Sequence, residues 1–274
     1  MQRHRSITKL LLAFSALLLA ISMTPFAFAQ TKAPAKAQAK PAAKPAAQAP
    51  AQRQLISVTF LRIKPGMGAE WREFRKNETL PMLQKAGVKQ QTLWNTANFG
   101  EGGYIIVTPI ESLEQYDNPG PAARALGQEG AAAYAAKAAK FTESAHSVAI
   151  ETRPDLGIAP KPGDQAKLIV VTTTTIAQGH TAEYENFVKT AVLPVIKKSA
   201  PKGYLVSQVV YGGNLNQYVT ALLLDSFADL QKYRHAFAKA SAAAKLTGKG
   251  VGVVSRENAI YRFVPDLSIQ PAAK

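Results

Sequence analysis

The chain has 274 residues, 47% of them hydrophobic, which is enough for one large domain or two small ones with an ordinary core. Its formal charge of +15 is unevenly placed: residues 1–54 hold eight Lys or Arg and no acidic residue, leaving +7 for the rest, so no nucleic-acid surface is expected. The absence of cysteine excludes disulfides, thiolate nucleophiles and cysteine metal sites together.

Residues 1–29 have a basic start (Arg3, Arg5, Lys9), an apolar run from Leu10 to about Met23, and Ala27-Phe28-Ala29 before Gln30. This is the plan of a secretory signal peptide, and its apolar run is short for a membrane span. It predicts cleavage near Ala29 and a periplasmic or secreted protein. Residues 30–54 are almost wholly Ala, Pro, Lys and Gln, and this composition cannot form a core. They read as a solvated linker, or as a polycation making weak, salt-sensitive contact with an anionic cell envelope.

Residues 55–156 form the first of two similar stretches. A strand over Leu55–Ile63 leads through Pro65-Gly66 into a helix over about Ala69–Lys85. Strands follow at about Lys89–Trp94 and Tyr104–Thr108. Ser112, with Gln115 three residues on, reads as a capping box, and the alanine-rich Ala122–Lys140 carries the second helix. A strand over about Ser147–Thr152 ends at Pro154-Asp155-Leu156. After a linker over 157–166, residues 167–267 repeat this order: strand Leu168–Ile176, helix Thr181–Lys198, strands Tyr204–Tyr211 and Tyr218–Leu224, a helix opened by Ser226 and Asp229, and strand Asn258–Val264 before Pro265-Asp266-Leu267. Residues 268–274 read as a tail.

The repetition is in register. An offset of 113 places Gly66 on Gly179, Glu70 on Glu183, Trp71 on Tyr184, Phe74 on Phe187 and Leu80-Pro81 on Leu193-Pro194. Each βαββαβ half is predicted to be a ferredoxin-like unit, an antiparallel sheet with both helices on one face. The strand Tyr218–Leu224 is apolar on both faces, so the uncovered face also needs a partner, and its burial contributes roughly 25 cal/mol per Å². The prediction is an α+β protein of two tandem units whose sheets pack face to face as a fused pseudo-dimer, which makes a monomer the expected state.

The segments PGMGAEWREF and AQGHTAEYENF, with this element order, resemble the dimeric α+β barrel superfamily, in particular domains related to antibiotic biosynthesis monooxygenases and NIPSNAP proteins. The resemblance covers about Leu55 to Leu267 and implies a fold rather than a reaction, because the superfamily includes cofactor-free oxygenases, haem-handling proteins and isomerases.

Differences between the halves suggest where function lies. Trp71, Phe74 and Met82 share an apolar helix face, yet Glu78 and Arg75 stand near it where the second half has Ala191 and Val188. Glu78 and Arg75 read either as a charged pair at the edge of a pocket in the first half, with Glu78 a base, or as an ion pair between neighbouring turns whose charges reach water. Thr172 and Thr174, in a run of four threonines, either line a cavity or reflect strand propensity. Trp94 and Asn95 are compared with the Trp and Asn that the resemblance implies for cofactor-free oxygenases, with Tyr211 or a neighbour replacing Trp94 in the other half; a capping aromatic and a turn asparagine is the competing account. His146, His180 and His235 have neither the spacing nor the setting of a metal site, so no metal and no cofactor are expected. The expected function is binding of a small apolar or aromatic molecule in a pocket between sheet and helices, placed in the first half, with Trp71, Arg75, Thr172, Thr174 and Tyr211 as contacts. The alternatives are a cofactor-independent monooxygenase using Glu78, Trp94 and Asn95, and an envelope-interaction protein using the basic segment.

Overall fold

The computed structural model describes residues 52–248 and 250–270. The signal-peptide segment and nearly all of the basic linker lie outside the described residues.

The described residues form eight strands, β1 (Leu55–Ile63), β2 (Thr92–Thr96), β3 (Tyr104–Ile110), β4 (Thr142–Thr152), β5 (Leu168–Ile176), β6 (Gly203–Tyr211), β7 (Gln217–Leu224) and β8 (Val253–Phe263). They close into one antiparallel barrel in the order β1-β3-β2-β8-β5-β7-β6-β4. Two stacked sheets were the expectation from the sequence. Instead their edges join, β2 to β8 through Trp94 opposite Phe263, and β4 to β6 through Ile150 opposite Val209. An unpaired strand edge leaves a row of N–H and C=O groups open, and closure satisfies them. β4 and β8 are longer than the alternation suggested, beginning at Thr142 and Val253.

Strand alternation divides the core in two. Along β5, Ile169 and Val171 join Trp94, Ile105, Leu223, Tyr261 and Phe263 inside the barrel, while Leu168 and Val170 face outward against helix residues such as Leu230 and Tyr233. A barrel of eight strands has an interior just wide enough for side chains to fill.

The helices cover the outside. The first helix of each half is continuous but changes pitch: α1 (Gly68–Phe74) passes through a π turn, Arg75–Thr79, into α2 (Leu80–Lys85), and α4 (Thr181–Phe187) passes through Val188–Val192 into α5 (Leu193–Lys198). Pro81 and Pro194 sit at the start of the α-helical segment after each π turn. Proline cannot donate to the ladder and its ring clashes with the carbonyl four residues back, and a wider turn relieves both problems. The second helices are α3 (Pro121–Phe141), which is broken at Gly127 (φ 74°), and α6 (Phe227–Ala243). Ser226 accepts the Asp229 N–H at 3.1 Å, as predicted; Ser112 caps a short 3-10 turn, Leu113–Tyr116, through the N–H of Glu114 rather than Gln115.

Each half ends in a Pro-Asp-Leu turn docked under the other half's first helix. Leu156 packs with Tyr184 and Val188, and Leu267 with Trp71. The charges are compensated differently at the two docks. Arg72 on α1 meets Asp266 at 3.6 Å. At the other dock α4 presents Glu185, which would repel Asp155, and buried Arg153 bridges both acids while the Tyr218 hydroxyl donates to Glu185. The guanidinium hydrogen bonds of Arg153 hold both carboxyls below their ordinary values. The residues read as a tail begin in register with the barrel: the Ile269 N–H donates to the Gln91 carbonyl at 2.8 Å, and Ile269 is buried.

Candidate functional site

A cavity of about 750 Å³ lies between the outward face of β5, β6, β7 and β8 and the helices α4, α5 and α6. Its apolar walls include Val188, Val192, Ile196, Leu222, Leu230 and Phe237. Thr172, Thr174 and Thr220 bring hydroxyls from the sheet, and Tyr184, Tyr204 and Tyr233 bring phenols. Thr174 and Thr220 are buried, as is Tyr184. Arg234 on α6 and Arg256 and Asn258 on β8 are solvent-exposed lining residues. The volume falls within the roughly 300–1,000 Å³ of small-molecule sites.

The phenols are held protonated. Burial raises Tyr184, with the Thr174 hydroxyl and the Arg256 charge offsetting part of the shift. Burial, then the neighbouring Tyr184, pushes Tyr204 up to about 12, and burial raises Tyr233 as well. Desolvation of the phenolate is the shared cause. Among the described residues the lining contains no carboxylate and no imidazole.

Why the second half keeps this space is visible at the π turn. Val188 and Arg75 are counterparts. Arg75, 3% exposed, fills the corresponding space of the first half, its Nε donating to the Leu267 carbonyl and its Nη2 to Gln91 Oε1, both at 2.9 Å. Gln91 in turn donates to Thr108 Oγ1 at 3.1 Å, and Thr79 bonds to the Tyr134 hydroxyl at 2.8 Å. By strand register and sequence offset, Gln91, Thr108 and Thr79 correspond to Tyr204, Leu222 and Val192, all of which line the cavity. One half closes with a polar network, and the other leaves an opening.

This reverses the reading of the polar substitutions. Arg75 is not paired with Glu78: Glu78 bonds to Lys137 of α3 at 2.9 Å, in a groove of about 410 Å³ on the surface between α2 and α3. Desolvation lowers the Arg75 pKa to about 10, consistent with hydrogen bonds to neutral acceptors only. Thr172 and Thr174 do line the main cavity. Trp71 is buried against Tyr104, ring centroids 4.3 Å apart, and contributes to first-half packing. Trp94 points into the barrel against Phe263, its indole N–H donating to Thr92, while the adjacent Asn95 sits in β2 between Tyr104 and Arg262. Glu78, Trp94 and Asn95 therefore do not converge. Register makes Ser207, rather than Tyr211, the counterpart of Trp94, and Tyr211 is 56% exposed opposite Ala149. Sequence reasoning missed Tyr204, Tyr233, Arg234 and Arg256. The available signal was the loss of polar residues from the second half, together with arginine on the outward face of β8.

No protein-family model matches the sequence, and no curated protein sequence does. Solved structures do match. A protein proposed to be a monooxygenase from Fusobacterium nucleatum superposes with TM-score 0.52 at 12% identity, covering 76% of this chain and 91% of its own. An anthrone oxidase-like protein gives 0.50 at 13% identity, covering 81% and 97%, and a mutant chlorite dismutase from Candidatus Nitrospira defluvii gives 0.52 at 7% identity, covering 78% and 93%. The fold is the dimeric α+β barrel. At such identities the likeness concerns backbone arrangement alone, so the chemistry of this α+β barrel rests on its own side chains.

The superfamily that the sequence resembles includes haem-handling proteins, and the cavity lining bears on whether such a group fits here. Among the described residues its lining has no His, Cys or Met to serve as an axial ligand, and its phenols are pushed away from the phenolate form that ligates iron. The described histidines lie elsewhere: His146 stacks on Phe60, His180 precedes α4 and His235 bonds to Gln231. The residues present do not fit a haem. Among the described residues no cluster of three or more His, Cys, Asp or Glu could hold a metal ion.

Proposed function

We propose that this chain is an exported α+β barrel that binds a small aromatic or apolar molecule in the cavity of its second half. The barrel is read as two ferredoxin-like units in tandem, with residues 55–156 and 167–267 as the halves. The observation that supports binding is the asymmetry at the π turn, where Val188, Tyr204, Leu222 and Val192 leave about 750 Å³ open while Arg75, Gln91, Thr108 and Thr79 fill the corresponding space. Cavities cost packing energy, so an opening lined by buried hydroxyls is expected to be kept for an occupant.

A second reading, cofactor-free oxygenation of an aromatic substrate, draws on neighbours described as a proposed monooxygenase and an anthrone oxidase-like protein. It needs a group that takes a proton from the substrate, and the lining offers protonated phenols and guanidinium groups instead. Binding is therefore the better supported reading. In the full picture the leader directs export to the periplasm or beyond, the basic segment makes weak contact with an anionic envelope, and the protein works as a monomer.

Mass spectrometry of small molecules retained by the purified protein tests the binding reading. An aromatic molecule retained by the wild type and lost in Val188→Arg is expected. Equal retention by both proteins would place binding elsewhere and remove the proposal.

A further inference from the structure

The cavity combines an apolar interior with an excess of cationic and donor groups. Arg234 and Arg256 both line it, and no acidic residue among the described residues does. Among the described residues neither guanidinium lies within 4.0 Å of a carboxylate, a condition shared with Arg75, Arg124 and Arg262, whereas Arg53, Arg62, Arg72 and Arg153 have such partners. β4, the counterpart of β8 in the first half, carries no arginine or lysine. By register, Arg256 opposite Thr174 corresponds to Ala145 opposite Leu61, and Asn258 opposite Thr172 to Ser147 opposite Thr59. The half with the open cavity is thus the half that carries an arginine at this point on the sheet.

The rest of the polar lining has the same bias. The raised phenols of Tyr184, Tyr204 and Tyr233 stay protonated at neutral pH and can donate, and so can the Asn258 amide. Guanidinium is a planar donor suited to a carboxylate or sulfonate. The aliphatic walls and the rings of Phe187 and Phe237 suit a flat apolar body.

We propose that the ligand of this cavity is an amphipathic aromatic anion, its acidic group held by Arg256 and Arg234 and its ring system seated against Val188, Leu222 and Phe237. This rests on the binding reading above and adds to it the ligand's charge. Arg234 and Arg256 act as specificity-determining residues.

The test is equilibrium dialysis of the purified chain against naphthoate and against neutral naphthalenemethanol, which share a ring system. The wild type is expected to bind naphthoate roughly tenfold or more tightly than the alcohol. In the double variant Arg234→Met and Arg256→Met that preference disappears while affinity for the alcohol is retained; methionine keeps much of the apolar stem at two exposed positions, so folding is preserved. Raising the salt concentration weakens naphthoate binding selectively. Equal affinity for the two probes in the wild type, or a preference that survives in the double variant, overturns the anion assignment while leaving the cavity as the binding site, provided Val188→Arg blocks both probes. Binding of neither probe removes the anion assignment and counts against aromatic binding itself.

Discussion

Placing arginine at position 188 gives the second half the side chain that closes the first. Val188 is 3% exposed and packs with Leu156, Tyr184, Val206 and Tyr218 at the wall of the cavity. The energetic consequence follows from Arg75, whose guanidinium makes two hydrogen bonds at 2.9 Å, to Leu267 and to Gln91. At position 188 the first acceptor has a counterpart, the carbonyl of Leu156 in the matching Pro-Asp-Leu turn, but the second does not, because Tyr204 stands where Gln91 would. One charge-assisted bond contributes about 1.5–3 kcal/mol, so Val188→Arg is expected to lose about that much stability relative to the double variant Val188→Arg with Tyr204→Gln. Urea unfolding of the wild type and both variants measures this difference, read as a change in midpoint at constant m-value. Dialysis against naphthalenemethanol should show loss of binding in both variants, since the space is filled in each. Undiminished binding by a folded Val188→Arg protein would refute the reasoning, and so would equal stabilities of the single and double variants.

Other outcomes follow from the same contacts. Arg75→Met strips two acceptors of a buried donor and should destabilise the fold by about 2–4 kcal/mol in urea unfolding, without opening a site equivalent to the second-half cavity unless Gln91 is also replaced. Glu78→Ala removes an ion pair whose side chains are 43% and 55% exposed, so thermal unfolding should move by no more than about 1 kcal/mol and probe binding should not change. Trp94→Phe alters packing inside the barrel and should lower stability while leaving affinity for either naphthalene probe intact, as dialysis would show. Glu185 and Asp155 have carboxyl pKa values depressed below their ordinary 4.5 and 3.8 by Arg153. Their stabilising contribution is complete above about 4.5, falls as pH drops through the depressed folded values, and is absent in Arg153→Met; the stability gap between that variant and the wild type should therefore narrow on acidification below pH 4.5 in urea titrations.

The order of strands and helices in both halves, and the offset relating them, was legible in the chain because periods of two and 3.6 residues and proline and glycine punctuation act over a few neighbours. Thr172 and Thr174 were legible as cavity candidates for the same reason: alternation alone puts both on one face of β5. The partner of Arg75 was not. Its acceptor is a carbonyl 192 residues away, delivered by a turn from the opposite half, and nothing near position 75 distinguishes that outcome from a pair with Glu78. The joining of two sheets into one barrel was likewise hidden, since the edges of β2 and β4 find partners only across the halves. Sequence by itself determined a doubled arrangement of elements. Tertiary structure decided which copy was filled and which stayed open, because whether a buried polar side chain closes a space depends on acceptors that only the assembled barrel brings within reach.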